Sequence, residues 1–256
     1  MAQGNIVHSV DKAMTILEIM LERKRPISLN ELSQLSGYPK STIHAMLSTL
    51  RDHNVVDQMA DGKYYLGIKL FEFGSALSSS WDISSIARPY LEDLAYSSGG
   101  SAFISALVKY ETIIIDECSS NNGLRIVSDA GSKMPLHCTS QGKVLLSNMS
   151  DRDISNILDI TGLKSYTPHT IKDKAQFMDE IRKVREQGYA TEDGEHKVGL
   201  RSASAPIYDN TGKLKYTISI IGLFKKVITE EFQEQIVNVC EAARKISEEL
   251  GYKINQ

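Results

Sequence analysis

Cysteine is scarce: there are three in 256 residues, Cys118, Cys138 and Cys240, far apart and odd in number. That argues against a disulfide framework, and no pair has the CxxC spacing of a metal site. Long apolar runs are missing too. No stretch approaches the roughly 20 residues that cross a bilayer, so no membrane partner is expected. The first residues, MAQGNIVHSVDKAM, lack the apolar core of a secretory signal, and a cytoplasmic location is expected. Charge of one sign is lacking as well. A net charge of −3 gives no global sign of nucleic-acid binding, so any basic surface must be local. There is no internal repeat and no low-complexity tract. What is present, 41% hydrophobic and 24% charged residues, suits a globular chain long enough for two domains.

The first seventy residues predict three helices and a hairpin. Val10, Ala13, Met14, Leu17, Met20 and Leu21 recur at helical spacing behind Ser9 as a cap, and Arg25-Pro26 ends the run. Ser28 and Glu31 have the spacing of a capping box, and Gly37 closes that short helix. YPKSTIHAMLSTLRDHN puts Ile43, Met46, Leu47 and Leu50 on one stripe, and VVDQMADGKYYLG reads as two strands turning at Asp61-Gly62. Together these make a winged helix-turn-helix, whose third helix enters the major groove of DNA. The residues that would face DNA are Lys40, Ser41, Thr42 and His44, with Lys63 and Tyr64 on the wing. We place this domain at residues 1–69, a linker helix at 70–81 and a second domain at 82–256. Leu70, Phe71, Phe73 and Leu77 on the linker are candidates for a dimer seam.

The second domain predicts an α+β fold on an antiparallel sheet. Its strands are expected in SAFISALVKYETIIIDEC, LRIVSDAG, ATED, LRSASAPIYD and LKYTISIIG, and its long last helix starts at Thr229 and stops at Gly251.

Enzyme chemistry finds little support. Gly142-Lys143 suggests a phosphate loop, but His137 stands where that motif needs glycine, and Val144 where it needs Ser or Thr. His137 beside Cys138 has no third group to orient it. TEDGEHKVGLRSASAPI looks like an acid–base cluster, yet strand alternation sends Glu192 and Asp193 to opposite faces. Asp193, Glu195, His196 and Lys197 then fall in a solvated turn. No catalytic residue, metal ligand or cofactor is assigned.

A ligand pocket fits better. A helix starting near Thr139 would point the N–H groups of Ser140, Gln141 and Gly142 at an anion, with small residues letting it approach the backbone. By period two, Leu200, Ser202 and Ser204 share one face, and so do Ser219 and Ile221.

SVDKAMTILEIM, SLNELSQLSGYPKSTIHAMLSTL and GKYYLGIKLFEFG, followed by KMPLHCTSQGKVLLS and VREQGYATEDGEHKVGLRSASAPIYDNTGKL, resemble the IclR family of bacterial transcription regulators in order and over nearly the whole chain. The resemblance implies a GAF-like effector fold. It also implies a homodimer or dimer of dimers on a palindromic double-stranded operator, and a small-molecule effector. The family's ligand contacts match Ser140, Gln141, Glu192, Leu200, Ser202, Ser219 and Ile221. Glu192 stands for the usual aspartate, Ser202 for cysteine and Ile221 for a second serine; Ala45 replaces a usual arginine on the recognition helix. The expectation is a repressor that answers a small organic acid, a hydroxy acid or sugar acid, with Glu192 taking its hydroxyls. The alternative is a small-acid-converting enzyme or sensor whose first domain contacts only protein.

Overall fold

The computed structural model describes residues 6–80, 82–120, 129–225 and 227–253. They fall into two compact units, Met1–Trp81 and Asp82–Gln256.

The first unit runs α1 (His8–Arg23), α2 (Leu29–Ser36), α3 (Lys40–Asp52), β1 (Val56–Gln58), β2 (Tyr64–Leu66) and α4 (Ile68–Ser80). Ser9 does not cap α1. The helix starts at His8, and its cap position falls two residues earlier, on Val7, which has no side-chain acceptor. Ser28 does cap α2, taking the N–H of Glu31 at 3.2 Å, while the Glu31 carboxylate is held by Arg25 at 2.6 Å. The short α2–α3 turn depends on Gly37, whose φ of +71° suits a residue without Cβ. Ile16, Met20, Leu32, Ile43 and Leu47 from the three helices meet Ile27, Val56 and Tyr64 in one core. The hairpin pairs Val56 with Leu66 and Gln58 with Tyr64.

The second unit opens with α5 (Asp82–Ser98), continuous through Pro89. Then follow β3 (Ser101–Val108), β4 (Glu111–Ser119), β5 (Lys133–Met134), α6 (Ser140–Ser147), α7 (Asp151–Thr161) and α8 (Lys174–Gln187). The chain ends with β6 (Ala190–Asp193), β7 (Arg201–Tyr208), β8 (Leu214–Gly222) and α9 (Glu230–Glu249). The strand expected in LRIVSDAG falls mostly on 121–128, outside the described residues. All strands pair antiparallel in the order β5-β4-β3-β8-β7-β6.

Alternation divides this sheet chemically. Ala102, Ile104, Ala203, Ala205, Ile207, Ile218 and Ile220 are buried on the face that receives α5 and α9. The residues between them, Ser101, Phe103, Ser105, Ser202, Ser204, Thr217 and Ser219, are buried on the face that receives α6. A sheet face covered by a helix is ordinarily apolar; apart from Phe103, these buried positions carry hydroxyls.

Candidate functional site

On α3 the buried stripe is Ile43 and Leu47, which turns Lys40, Ser41, His44 and Ala45 to solvent, with Thr42 half-buried. These are the first residues of the second helix of a helix-turn-helix, the part that meets base edges. Lys63 is exposed at the wing tip and paired with Asp61 at 2.8 Å, which holds the Asp61 carboxyl below its usual range. Tyr64 does not belong with it. It is 5% exposed and packs in the core, because β2 alternates and its inward position falls on residue 64. Tyr65 is the exposed one; its hydroxyl donates to Asp57 at 3.0 Å. The two adjacent tyrosines made the choice one of strand phase, and phase was not settled by the sequence.

In the second unit, α6 lays its N-terminus on the hydroxyl face. Ser140 Oγ lies 2.7 Å from both Ser202 Oγ and Ser204 Oγ. Ser202 donates to Glu192 Oε2 at 3.1 Å. Gln141 donates through Nε2 to Ser219 at 2.7 Å, and its buried Oε1 has no hydrogen-bond partner among the described residues. Since each hydroxyl carries one proton, an ionised Glu192 fixes the chain as Ser204 to Ser140 to Ser202 to Glu192. Leu200 sits just before β7, 9% exposed, and Ile221 is half-buried on β8 beside Ser202. Residues distant in sequence thus converge: Ser140, Gln141, Glu192, Ser202, Ser219 and Ile221 line one region of the sheet under one helix end.

Three comparisons with known proteins bear on this arrangement. The model of the bacterial transcriptional regulator IclR C-terminal domain matches residues 75–248, and that of the IclR helix-turn-helix domain matches residues 9–59. The chain belongs to the IclR family of transcription regulators. Among curated relatives, the HTH-type transcriptional regulator XynR of Escherichia coli is 30% identical over 96% of this chain and 98% of its own. The transcriptional repressor IclR of the same organism is 29% identical over 96% and 90%. An IclR transcriptional regulator from Alicyclobacillus acidocaldarius, solved by crystallography, superposes with a TM-score of 0.84 at 25% identity, over 96% of this chain and all of the other.

In this IclR-family chain the details differ from the sequence expectation at three points. Gly142 does not open the backbone to a ligand. Its N–H is taken by Thr139 Oγ1 at 3.2 Å, and a Cβ there would lie 2.2 Å from the carbonyl oxygen of Leu136. The glycine is needed for close helix packing, and only Ser140 and Gln141 keep N–H groups beyond the helix's own bonds. Glu195 is not solvated. Gly194, at φ +69°, turns the chain so that Glu195 comes back under α6, 8% exposed. There Lys143, 1% exposed, donates to Glu195 at 2.5 Å, Glu180 at 3.2 Å and the Thr191 carbonyl at 3.1 Å. Nothing in the charge string TEDGEHK marked one glutamate as buried; the signal was Lys143, the fourth residue of α6 and its only charged one, just before the apolar Val144-Leu145-Leu146. The third point is His196, half-buried and edge-on to Tyr166, with ring centroids 5.1 Å apart. Asp193 and Lys197 are exposed as expected.

Cys138 is fully buried, and burial with the neighbouring Glu195 and Glu192 pushes its thiol up to about 12, so it stays protonated. His137 is bonded to the Lys164 carbonyl at 2.9 Å. Among the described residues, no group of three or more His, Cys, Asp or Glu is placed to hold a metal ion. No helix there is long and apolar enough to cross a membrane.

Burial raises Glu192 to about 7, against the N–H bonds of His196 (3.1 Å) and Glu195 (2.6 Å) that favour its charge. The sign follows directly. A carboxyl whose folded value lies above its ordinary 4.5 takes up protons on folding, so stability declines as pH rises from about 4.5 to about 7. Glu192→Gln keeps the shape and removes the charge. Thermal melts of the two proteins from pH 4.5 to 8 should diverge, the variant gaining on the wild type as pH rises; parallel curves would disprove the assignment.

Proposed function

We propose that this regulator is a repressor that binds a palindromic operator as a homodimer or dimer of dimers, and that a small organic acid in the α6 site changes its operator affinity. The observation that carries the effector assignment is the convergence of Ser140, Gln141, Ser202, Ser219 and Glu192 at one helix N-terminus, with a buried Gln141 Oε1 that has no partner among the described residues. The acid's carboxylate meets the Ser140 and Gln141 N–H groups at the positive end of α6. Its hydroxyls exchange with the serines. With Glu192 raised to about 7, repulsion between it and an anionic ligand is reduced near neutrality and falls further at lower pH. The repressor assignment draws on relatives named as repressors, the transcriptional repressor IclR of Escherichia coli and the acetate operon repressor of Salmonella typhimurium.

Two copies are supported by apolar surface. Val10, Met14 and Leu21 share an exposed face of α1, and Phe71 and Phe73 are exposed on α4. Such a dimer meets half-sites about one helical turn, or multiples of it, apart. The cytoplasm is the compartment where this function operates.

The test is a gel shift on the DNA upstream of the chain's own coding region, at several salt concentrations, with and without organic acids. The palindrome is retained in a salt-dependent way, a single half-site is not, and an active acid shifts affinity by roughly 5–150-fold. Lys40→Ala weakens operator binding by about tenfold and flattens the salt slope by about one. An unchanged Lys40→Ala variant would remove α3 from the interface.

A further inference from the structure

A second cavity lies between β7, α9 and the segment that follows α9, and the effector reading does not use it. Its volume is about 290 Å³, close to the lower end of what holds a small-molecule ligand. Its floor is small: Ala205 on β7 and Ala243 on α9 line it, both buried. Its wall is aromatic. Tyr208 and Tyr252 stack with ring centroids 5.1 Å apart and planes 29° from parallel. Gly251, at φ +87°, turns the chain there, and the Tyr252 N–H donates to the Ser247 carbonyl at 2.9 Å. Ser247 Oγ is already engaged, accepting from the Tyr208 N–H at 3.0 Å and donating to the Ala243 carbonyl at 2.7 Å. Two side chains remain to meet a ligand. Cys240 brings a free, half-buried thiol, and burial pushes both it and the Tyr208 phenol up, so both stay neutral. Arg244 brings the one formal charge among the lining residues. Its Nη1 donates to Glu248 at 2.6 Å, with both side chains about half exposed. An exposed pair of this kind contributes little and gives way to a better-placed anion.

We propose that this cavity is a second ligand site, and that it takes a planar aromatic ring carrying one anionic group. The ring lies along the Tyr208–Tyr252 wall, where offset stacking favours an aromatic ring over a saturated one by about fivefold. Its anion meets the planar guanidinium of Arg244, whose forked N–H groups suit a flat, multi-oxygen anion. Ala205 and Ala243 leave room for the ring between strand and helix. The site stands apart from the α6 region. Ser204 and Ala205 are successive residues of β7 and point to opposite faces, so the two regions flank one strand without sharing a side chain. Both can be filled at once.

Benzenesulfonate and naphthalene-2-sulfonate, titrated into the full chain, are the probes. At least one binds, and at saturation it slows alkylation of Cys240 by iodoacetamide about fivefold or more, read by mass spectrometry of the Cys240 peptide. Benzenesulfonate binds about fivefold more tightly than cyclohexanesulfonate. Arg244→Gln weakens the aromatic sulfonates about tenfold and leaves uncharged naphthalene-2-methanol unchanged. Cys240→Leu fills the slot and abolishes binding; if that variant melts low, protection of the wild-type thiol decides. Ser140→Ala changes none of this. Failure of both probes to bind, or binding that leaves the Cys240 alkylation rate unchanged, overturns the site. So does binding that is lost in Ser140→Ala and indifferent to Arg244→Gln, which would put the probe under α6 instead.

Discussion

Replacing Lys143 with methionine lowers the thermal midpoint of the effector domain by about 10 °C. The ammonium is buried and has three acceptors, two of them carboxylates. Removing one partner of a buried ion pair costs about 3–5 kcal/mol, because the other charge stays behind in a medium that solvates it poorly. For a domain of this size each kcal/mol is worth roughly 2–4 °C. The residual charge sits mainly on Glu195, whose carboxyl burial already pushes above its ordinary 4.5 while Lys143 pulls it down. Without the lysine the upward push is unopposed. The deficit is therefore smallest below about pH 4.5, where the acid is protonated folded and unfolded alike, and grows toward neutrality. Scanning calorimetry at several pH values measures it, and Lys143→Met with Glu195→Gln recovers part of the loss. A midpoint that does not move with Lys143→Met would mean the ammonium is not held in this carboxylate pair.

Gly142→Ala is the second large effect, at about 3 kcal/mol, and on the proposed function it removes the response to an acid as well. The added methyl would approach three backbone atoms of Leu136, at 2.2, 2.5 and 2.6 Å. Backbone cannot rotate aside as a side chain can, so α6 must lift from the 135–138 segment, and overpacking of this kind lies at the upper end of its usual cost. Ser140 and Gln141 ride on the same turn and lose their register with Ser202, Ser204 and Ser219. Gly74→Ala is the control: that glycine is exposed, helical, and has nothing within 4 Å of an added Cβ, so alanine there is neutral or slightly stabilising. Melting curves with and without an active acid separate the two. If Gly142→Ala keeps its acid-induced shift, α6 does not position the ligand.

Much of the site was legible in the sequence because period two is a strong constraint. Ser202, Ser204 and Ser219 announce a hydroxyl face, and Thr139 followed by Ser, Gln and Gly announces a helix start. The winged domain was legible for the same kind of reason: three apolar stripes separated by Pro and Gly. What escaped depended on phase or on distance. Tyr64 and Tyr65 differ only in which face the strand presents. The burial of Glu195 depends on Lys143, 52 positions away, and on a turn whose direction is set by Gly194. Gly142 was visible as a small residue, but whether its smallness served a ligand or Leu136 required coordinates.

The serine chain under α6 has a consequence beyond holding a ligand. With Glu192 ionised, protons point toward it, from Ser204 through Ser140 and Ser202. With Glu192 protonated on Oε2, that proton is given to Ser202, and each hydroxyl can turn to donate the other way. Protonation of Glu192, whose carboxyl is raised to about 7, thus frees the row to take either polarity. Ionised, Glu192 leaves the far end of the row as an acceptor; protonated, it lets that end donate.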